Sequence, residues 1–149
     1  MGKPSRYYTE APYLVTKTIA FTGAAGNGAV GTVTIFNITG QVLLLYCFGT
    51  CSESLAGATA TITLETSDGR DIIATTTATD LLINEIWTDA TPTELGSPLE
   101  TSQKDIGLNG GASGQTIVLT VGTANVTDGT LTIHALYYPM SSDGELAAA

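Results

Sequence analysis

Any chemistry performed by this chain would have to come from a short cast of residues: one histidine, two cysteines and fourteen carboxylates. Nucleophilic catalysis needs a nucleophile with a base in reach, and the base would have to be His134. That histidine lies in mid-run, where Leu131, Ile133, Ala135 and Tyr137 alternate with Thr132, His134, Leu136 and Tyr138, a period that places alternate side chains on opposite faces of a strand. No second His or Cys lies near it in sequence, so a metal site lacks its remaining ligands. Cys47 and Cys51, on one extended strand, would stand about 13 Å apart, beyond the ~7 Å limit for a bridge. They read as buried thiols, with a disulfide requiring a tight turn at Phe48-Gly49-Thr50. Among the carboxylates, Asp68, Asp128 and Asp143 precede glycines and are turn residues, while Glu53, Glu85, Glu94 and Glu100 sit in polar links. Nothing singles out a pair for acid–base work. The expectation is a non-enzyme with no cofactor, no metal and no small-molecule substrate.

Two glycine clusters invite a phosphate reading. Gly26-Asn27-Gly28-Ala29-Val30-Gly31 matches GxGxxG, but that motif serves a dinucleotide only when it opens a helix. The next residues, Thr32-Val33-Thr34-Ile35-Phe36, are β-branched and strand-like instead. Gly110-Gly111-Ala112-Ser113-Gly114 has no adjacent lysine. Both read as connections between strands. The sequons at Asn37 and Asn125 read as chance in a threonine-rich chain without a secretion signal at its start.

The elements that would position any site are strands. Ala60, Ile62 and Leu64 are expected inward and Thr59, Thr61, Thr63 and Glu65 outward. Asp68-Gly69 is hairpin chemistry. Residues 80–114 read as a long excursion holding one short apolar element around Trp87, and residues 141–149 as a polar tail. Residues 1–13, with Pro4, Pro12 and three tyrosines, read as an extended arm. The fold class is all-β: a single antiparallel β-sandwich or jelly roll of seven to nine strands spanning residues 14–140. Val42-Leu43-Leu44-Leu45-Tyr46-Cys47-Phe48 is apolar on both faces, which asks for a second cover beyond the strand's own core. Val42, Leu43, Leu44, Leu45, Tyr46 and Phe48 are therefore candidates for a subunit contact.

With 149 residues the chain fits one domain, and roughly 70% of its unfolded surface can be buried without a metal or disulfide. Its net charge of −9 argues against nucleic acid and anionic membranes as partners. Lys3 and Arg6 belong to the first ten residues, so the remainder carries only Lys17, Arg70 and Lys104 against thirteen carboxylates. The longest apolar run falls far short of the ~18 residues that span a membrane.

The C-terminal stretch Gly129-Thr130-Leu131-Thr132-Ile133-His134-Ala135-Leu136-Tyr137-Tyr138-Pro139-Met140-Ser141-Ser142-Asp143-Gly144 resembles the endings of small β-sandwich virion proteins of tailed bacteriophages. The arm, the Thr/Gly/Ala-rich strands and the acidic balance are similar to those of capsid decoration, or cement, proteins. That resemblance implies a homotrimer made in the bacterial host cytoplasm and seated on the outer capsid surface, bound to the major capsid protein. On it, Lys3, Arg6, Tyr7, Tyr8 and Tyr13 would touch the shell. The alternative is a carbohydrate- or receptor-binding sandwich of a phage tail or fibre, with Trp87 as the ligand-contact residue.

Overall fold

The computed structural model describes residues 11–99 and 103–149. Lys3, Arg6, Tyr7 and Tyr8 lie outside the described residues. Alternation dictates the architecture: β-branched and aromatic residues at period two bury one face of each strand, and two such faces close on each other. Among the described residues eleven strands are formed: β1 (Tyr13–Ala20), β2 (Gly31–Thr39), β3 (Gln41–Ala56), β4 (Thr61–Thr66), β5 (Asp71–Thr77), β6 (Glu85–Trp87), β7 (Thr93–Glu94), β8 (Gln103–Asn109), β9 (Thr116–Gly122), β10 (Asp128–Pro139) and β11 (Glu145–Ala148). The first sheet runs β1-β10-β3-β6-β7, with β8 also paired to β3. The second runs β11-β2-β9-β4-β5, and every pairing is antiparallel. The expected all-β sandwich is thus present.

The count exceeds the expected seven to nine because two segments read as irregular contain strands. β3 is sixteen residues long, enough for Gln41–Tyr46 to pair with β8 and Gly49–Thr50 with β6. The 80–114 excursion therefore holds β6, β7 and β8. β6 and β8 exist because β3 offers them a ladder, and the two-residue β7 adds on to β6 in turn. The 141–149 tail likewise contains β11, which pairs with β2 and buries Leu146. Tyr13, expected in the arm, is the first residue of β1.

The core sits between the sheets. β10 contributes Leu131, Ile133, Ala135 and Tyr137, β4 contributes Ile62 and Leu64, and β9 contributes Ile117, Leu119 and Val121, all buried. Each such Leu or Ile is worth about 1.5–3 kcal/mol relative to an exposed position. The loop matching GxGxxG is a β1–β2 connection. Gly28 holds φ +111°, and a side chain there would run into the Val126 carbonyl, while the Val126 amide donates to the Gly28 carbonyl at 2.8 Å. Those glycines serve a close backbone crossing. The Asp68-Gly69 hairpin forms between β4 and β5, with Gly69 at φ +85°.

Candidate functional site

A β-sandwich has two outer faces, and here they differ in chemistry. On the second sheet the face is a lattice of hydroxyls. Thr32 and Thr120 share a hydrogen bond at 3.2 Å, Thr63 and Thr75 share one at 2.8 Å, and the Thr120 hydroxyl also donates to Glu65. Threonine rows of this kind satisfy one another and sit in water.

The first sheet's outer face is apolar at one end and carries hydroxyls further along, where Thr18 and Thr132 share a hydrogen bond at 2.8 Å. Strand register aligns Leu14 (β1), Leu136 (β10) and Tyr46 (β3) in one row and Thr16, His134 and Phe48 in the next. Leu43 extends the patch along β3, and Met140 reaches over Gly107, Leu43's partner on β8. Leu14, Met140 and Tyr46 are 60%, 52% and 36% exposed, while Leu43, Phe48 and Leu136 are half-buried. At this end, residues 14–18 of β1, 130–139 of β10 and 41–50 of β3 turn no charged side chain to this face, and Asp105 of β8, which accepts from Gln103, the partner of Tyr46, at 2.6 Å, borders it. The nearest carboxylate on β1, β10 and β3, Glu53, accepts the Thr130 hydroxyl at 3.0 Å at the far end.

This geometry sorts the candidates of the Val42–Phe48 run. Leu43, Leu45, Tyr46 and Phe48 are partly accessible. Val42 and Leu44 are fully buried. They point into the sandwich, so their assignment to a subunit contact is corrected. The register between β3 and β8 shifts between Leu44 and Tyr46, and this irregularity leaves Leu45 between the two alternating sets. Leu14, Leu136 and Met140, not among the sequence candidates, complete the patch. Their signal was the apolar member of each strand's otherwise polar alternating set.

A second cluster lies at the other end of the same sheet. Leu82, Ile83 and Leu95 are each just over half exposed. Their backbone is firmly tied: the Leu82 amide donates to Glu85 Oε2 at 2.7 Å, the Ile83 amide to Ser54 Oγ at 2.9 Å and the Leu95 amide to the Asn84 carbonyl at 2.9 Å.

The residues that could do chemistry are engaged in structure. His134 Nε2 and Thr50 Oγ1 share a 2.8 Å hydrogen bond, and the imidazole stacks on Phe48 with centroids 4.8 Å apart. Burial lowers its pKa, so the neutral ring is favoured. Cys47 and Cys51 are both free and buried, and burial pushes the Cys47 thiol up to about 12, far from a thiolate nucleophile at neutral pH. Lys104 is half-buried, its Nζ donates to the Thr88 carbonyl at 2.9 Å, and burial lowers its pKa. Asp68 is held below the usual carboxylate range, first by the Thr66 hydroxyl, then by Arg70 of the same β4–β5 turn and by Gln115, which immediately precedes β9. Among the described residues no cluster of three or more His, Cys, Asp or Glu side chains could hold a metal ion.

An open hollow of about 650 Å³ beside β5 and β6 is lined by Ala74, Thr88, Asp89, Thr91, Thr93 and Pro98. Asp89 is the one titratable group in its lining, and the half-buried Lys104 lies near enough to feel its charge. Another, of about 360 Å³, is lined by Tyr13, Tyr137, Asp143 and Glu145 among others. Tyr13 stacks on Tyr137 at 5.7 Å. Asp143 accepts from Ser141 Oγ at 2.7 Å, and that oxygen accepts the Gln41 amide at 2.8 Å, so the carboxylate closes one turn on another.

Trp87 is fully buried, with Nε1 donating to Thr76 Oγ1 at 2.8 Å. A ring with no exposed face cannot stack on a sugar, and its assignment as a ligand contact is corrected. Pairing of β6 with β3 aligns Trp87 with Gly49, whose missing side chain makes room for the indole: a Cβ there would stand 3.2 Å from the ring, closer than ordinary contact. Comparisons of the chain with protein-family models, with curated proteins and with solved structures match nothing.

Proposed function

We propose that this chain is a non-catalytic structural protein of a tailed-bacteriophage virion, decorating and stabilising the capsid by binding the major capsid protein as a homo-oligomer. The observation that carries the reading is the apolar end of the first sheet's outer face. Leu14, Tyr46 and Met140 stay open to water there, while the hydroxyl-covered second sheet faces it comfortably. Apolar patches of this kind mark association surfaces. The low charge content, 13% of residues, points the same way, since a surface met by neighbours needs fewer charges. Lys3, Arg6, Tyr7, Tyr8 and Tyr13 are assigned to the shell contact. Burial of Trp87 removes the residue on which the sugar-binding alternative rested.

The test is co-sedimentation of the purified chain with expanded shells that lack it, beside a chain deleted for residues 1–10, which leaves β1 intact. The full chain is expected to pellet with the shells and to raise their heat resistance, and the deletion to lose both. Absence of binding by the full chain refutes the capsid role. Equal binding by both refutes the assignment of the arm.

A further inference from the structure

We infer that Lys17 guards the open edge of the first sheet: its ammonium, turned toward the inside of the sandwich, keeps β1 from pairing with the β1 of a second copy. The inference goes beyond the capsid reading and does not rest on it.

A strand at the rim of a sheet shows a row of unpaired amides and carbonyls, and a long, regular rim is a template for another chain. Among the described residues β1, β7 and β8 of the first sheet and β5 and β11 of the second have a side with no paired strand. Four of these five are blunted by their own geometry. β7 has two residues and β11 four. The ladder of β5 slips twice against β4, and that of β8 slips against β3 beside Asp105, whose φ is +50°. Residues 31–34 of β2, beyond the reach of β11 and Ala149, end at another slip between Thr34 and Phe36.

β1 has none of these protections. Its eight residues pair with β10 from Tyr13 to Ala20 without a shift. The ladder continues as the Phe21 amide donates to the Gly129 carbonyl at 2.9 Å. Odd-numbered residues therefore bond to β10, and Leu14, Thr16, Thr18 and Ala20 turn their backbone groups to the open side.

What β1 does carry is one charge in its core-facing set. Val15, Lys17 and Ile19 lie opposite Ala135, Ile133 and Leu131, all three buried. Lys17 alone breaks that apolar row. Its Nζ donates to the carbonyl of Ala149, just past the end of β11 on the other sheet, so the ammonium stands in the gap between the two rims. A hollow of about 430 Å³ opens there, lined by Lys17, Ile19, Val33, Ile35 and Ala149 among others.

A strand laid on this rim would roof the hollow and take the ammonium out of water, which is costly without a counter-charge. A second β1 brings none, because the strand has no carboxylate. It brings another ammonium instead. The two antiparallel registers that pair nearly the whole strand and keep both cores on one side set Lys17 opposite Lys17 or opposite Val15 of the other copy. Either way the two lysines leave the backbone within about 8 Å of each other.

The experiment measures native mass by size exclusion with light scattering, over a range of protein concentrations. It compares the full chain with Lys17→Val, with Lys17→Arg and with the double variant Lys17→Val, Thr16→Pro. Valine completes the apolar row and should at least double the wild-type mass, since the smallest product of strand addition is a pair. Arginine keeps the charge and should match the wild type. Proline at position 16 removes an amide that faces the open side and no bond to β10, a change that edge strands accept. The double variant should therefore return to the wild-type mass.

If Lys17→Val keeps the wild-type mass at every concentration, Lys17 guards nothing and the inference falls. Growth by Lys17→Arg overturns the role of the charge, and growth by the double variant overturns the choice of edge. Thermal unfolding of each variant checks the fold. Should either substitution prevent folding, Lys17→Met and Thr18→Pro carry the same expectations.

Discussion

Replacing Trp87 with phenylalanine tests the part of the structure that most changes the functional reading. The indole is fully buried, and its Nε1 donates to Thr76 Oγ1, itself buried, at 2.8 Å. Phenylalanine removes that donor, at a net cost of about 1 kcal/mol. The Thr76 hydroxyl still donates to the Ala74 carbonyl at 3.1 Å, so its oxygen is not left without any partner. The smaller ring also leaves roughly 40 Å³ of space, which at about 24 cal/mol per Å³ costs ~1 kcal/mol if the surroundings do not relax. The lost transfer free energy of the missing ring atoms adds a further ~1 kcal/mol. A destabilisation of about 2–3 kcal/mol is expected, read by urea denaturation with far-ultraviolet circular dichroism because the variant has no tryptophan. In the wild type the same burial predicts blue-shifted emission that resists acrylamide and does not move on adding sugars. A Trp87→Phe cost below about 0.5 kcal/mol, or free quenching of the native fluorescence, would refute burial and restore the ring as a ligand contact.

His134 makes stability pH-dependent with a definite sign. Burial lowers its pKa in the folded state, so as pH falls below about 6.5 the unfolded chain takes up the proton first and stability declines toward the folded-state pKa. A His134→Gln chain should show a shallower decline over that window, measured as the difference between the two urea midpoints from about pH 7.5 to about pH 5. Gly28→Ala should cost about 2–4 kcal/mol, because the added methyl meets the Val126 carbonyl and φ is +111°; thermal unfolding reads it, and a shift under about 2 °C counts against the loop geometry. Cys47 and Cys51 should ignore a disulfide-exchange reagent in the native chain and both react once it is unfolded, since both are buried and the Cys47 thiol is pushed up to about 12. Prompt native labelling of Cys47 would contradict its placement.

Much of the fold was legible because alternation is local. Ile62 and Leu64 face the core with Thr61 and Thr63 opposite, and the Leu131-Ile133-Ala135-Tyr137 set faces the core with His134 and Leu136 opposite, as two-residue periodicity requires. The Asp68-Gly69 turn was equally readable from its own chemistry. Periodicity fails where both faces are apolar. In Val42–Phe48 no pattern says which residues meet the core, and the register shift near Leu45 hides the parity further. Only pairing with β10 and β8, remote in sequence, turns Val42 and Leu44 inward and Tyr46 out.

The same cause explains Trp87. Its burial depends on facing Gly49 across β3 and on Thr76 from the other sheet, neither of which its neighbours in sequence reveal. The short strands β6 and β11 are strands only because the longer β3 and β2 offer them an edge, and β7 then adds to β6. The sequence by itself determined that this is a threonine-rich, acidic β-sandwich, because composition and two-residue periodicity are properties of the chain. Tertiary structure decided which sheet face stays apolar and open, because that depends on what distant strands cover.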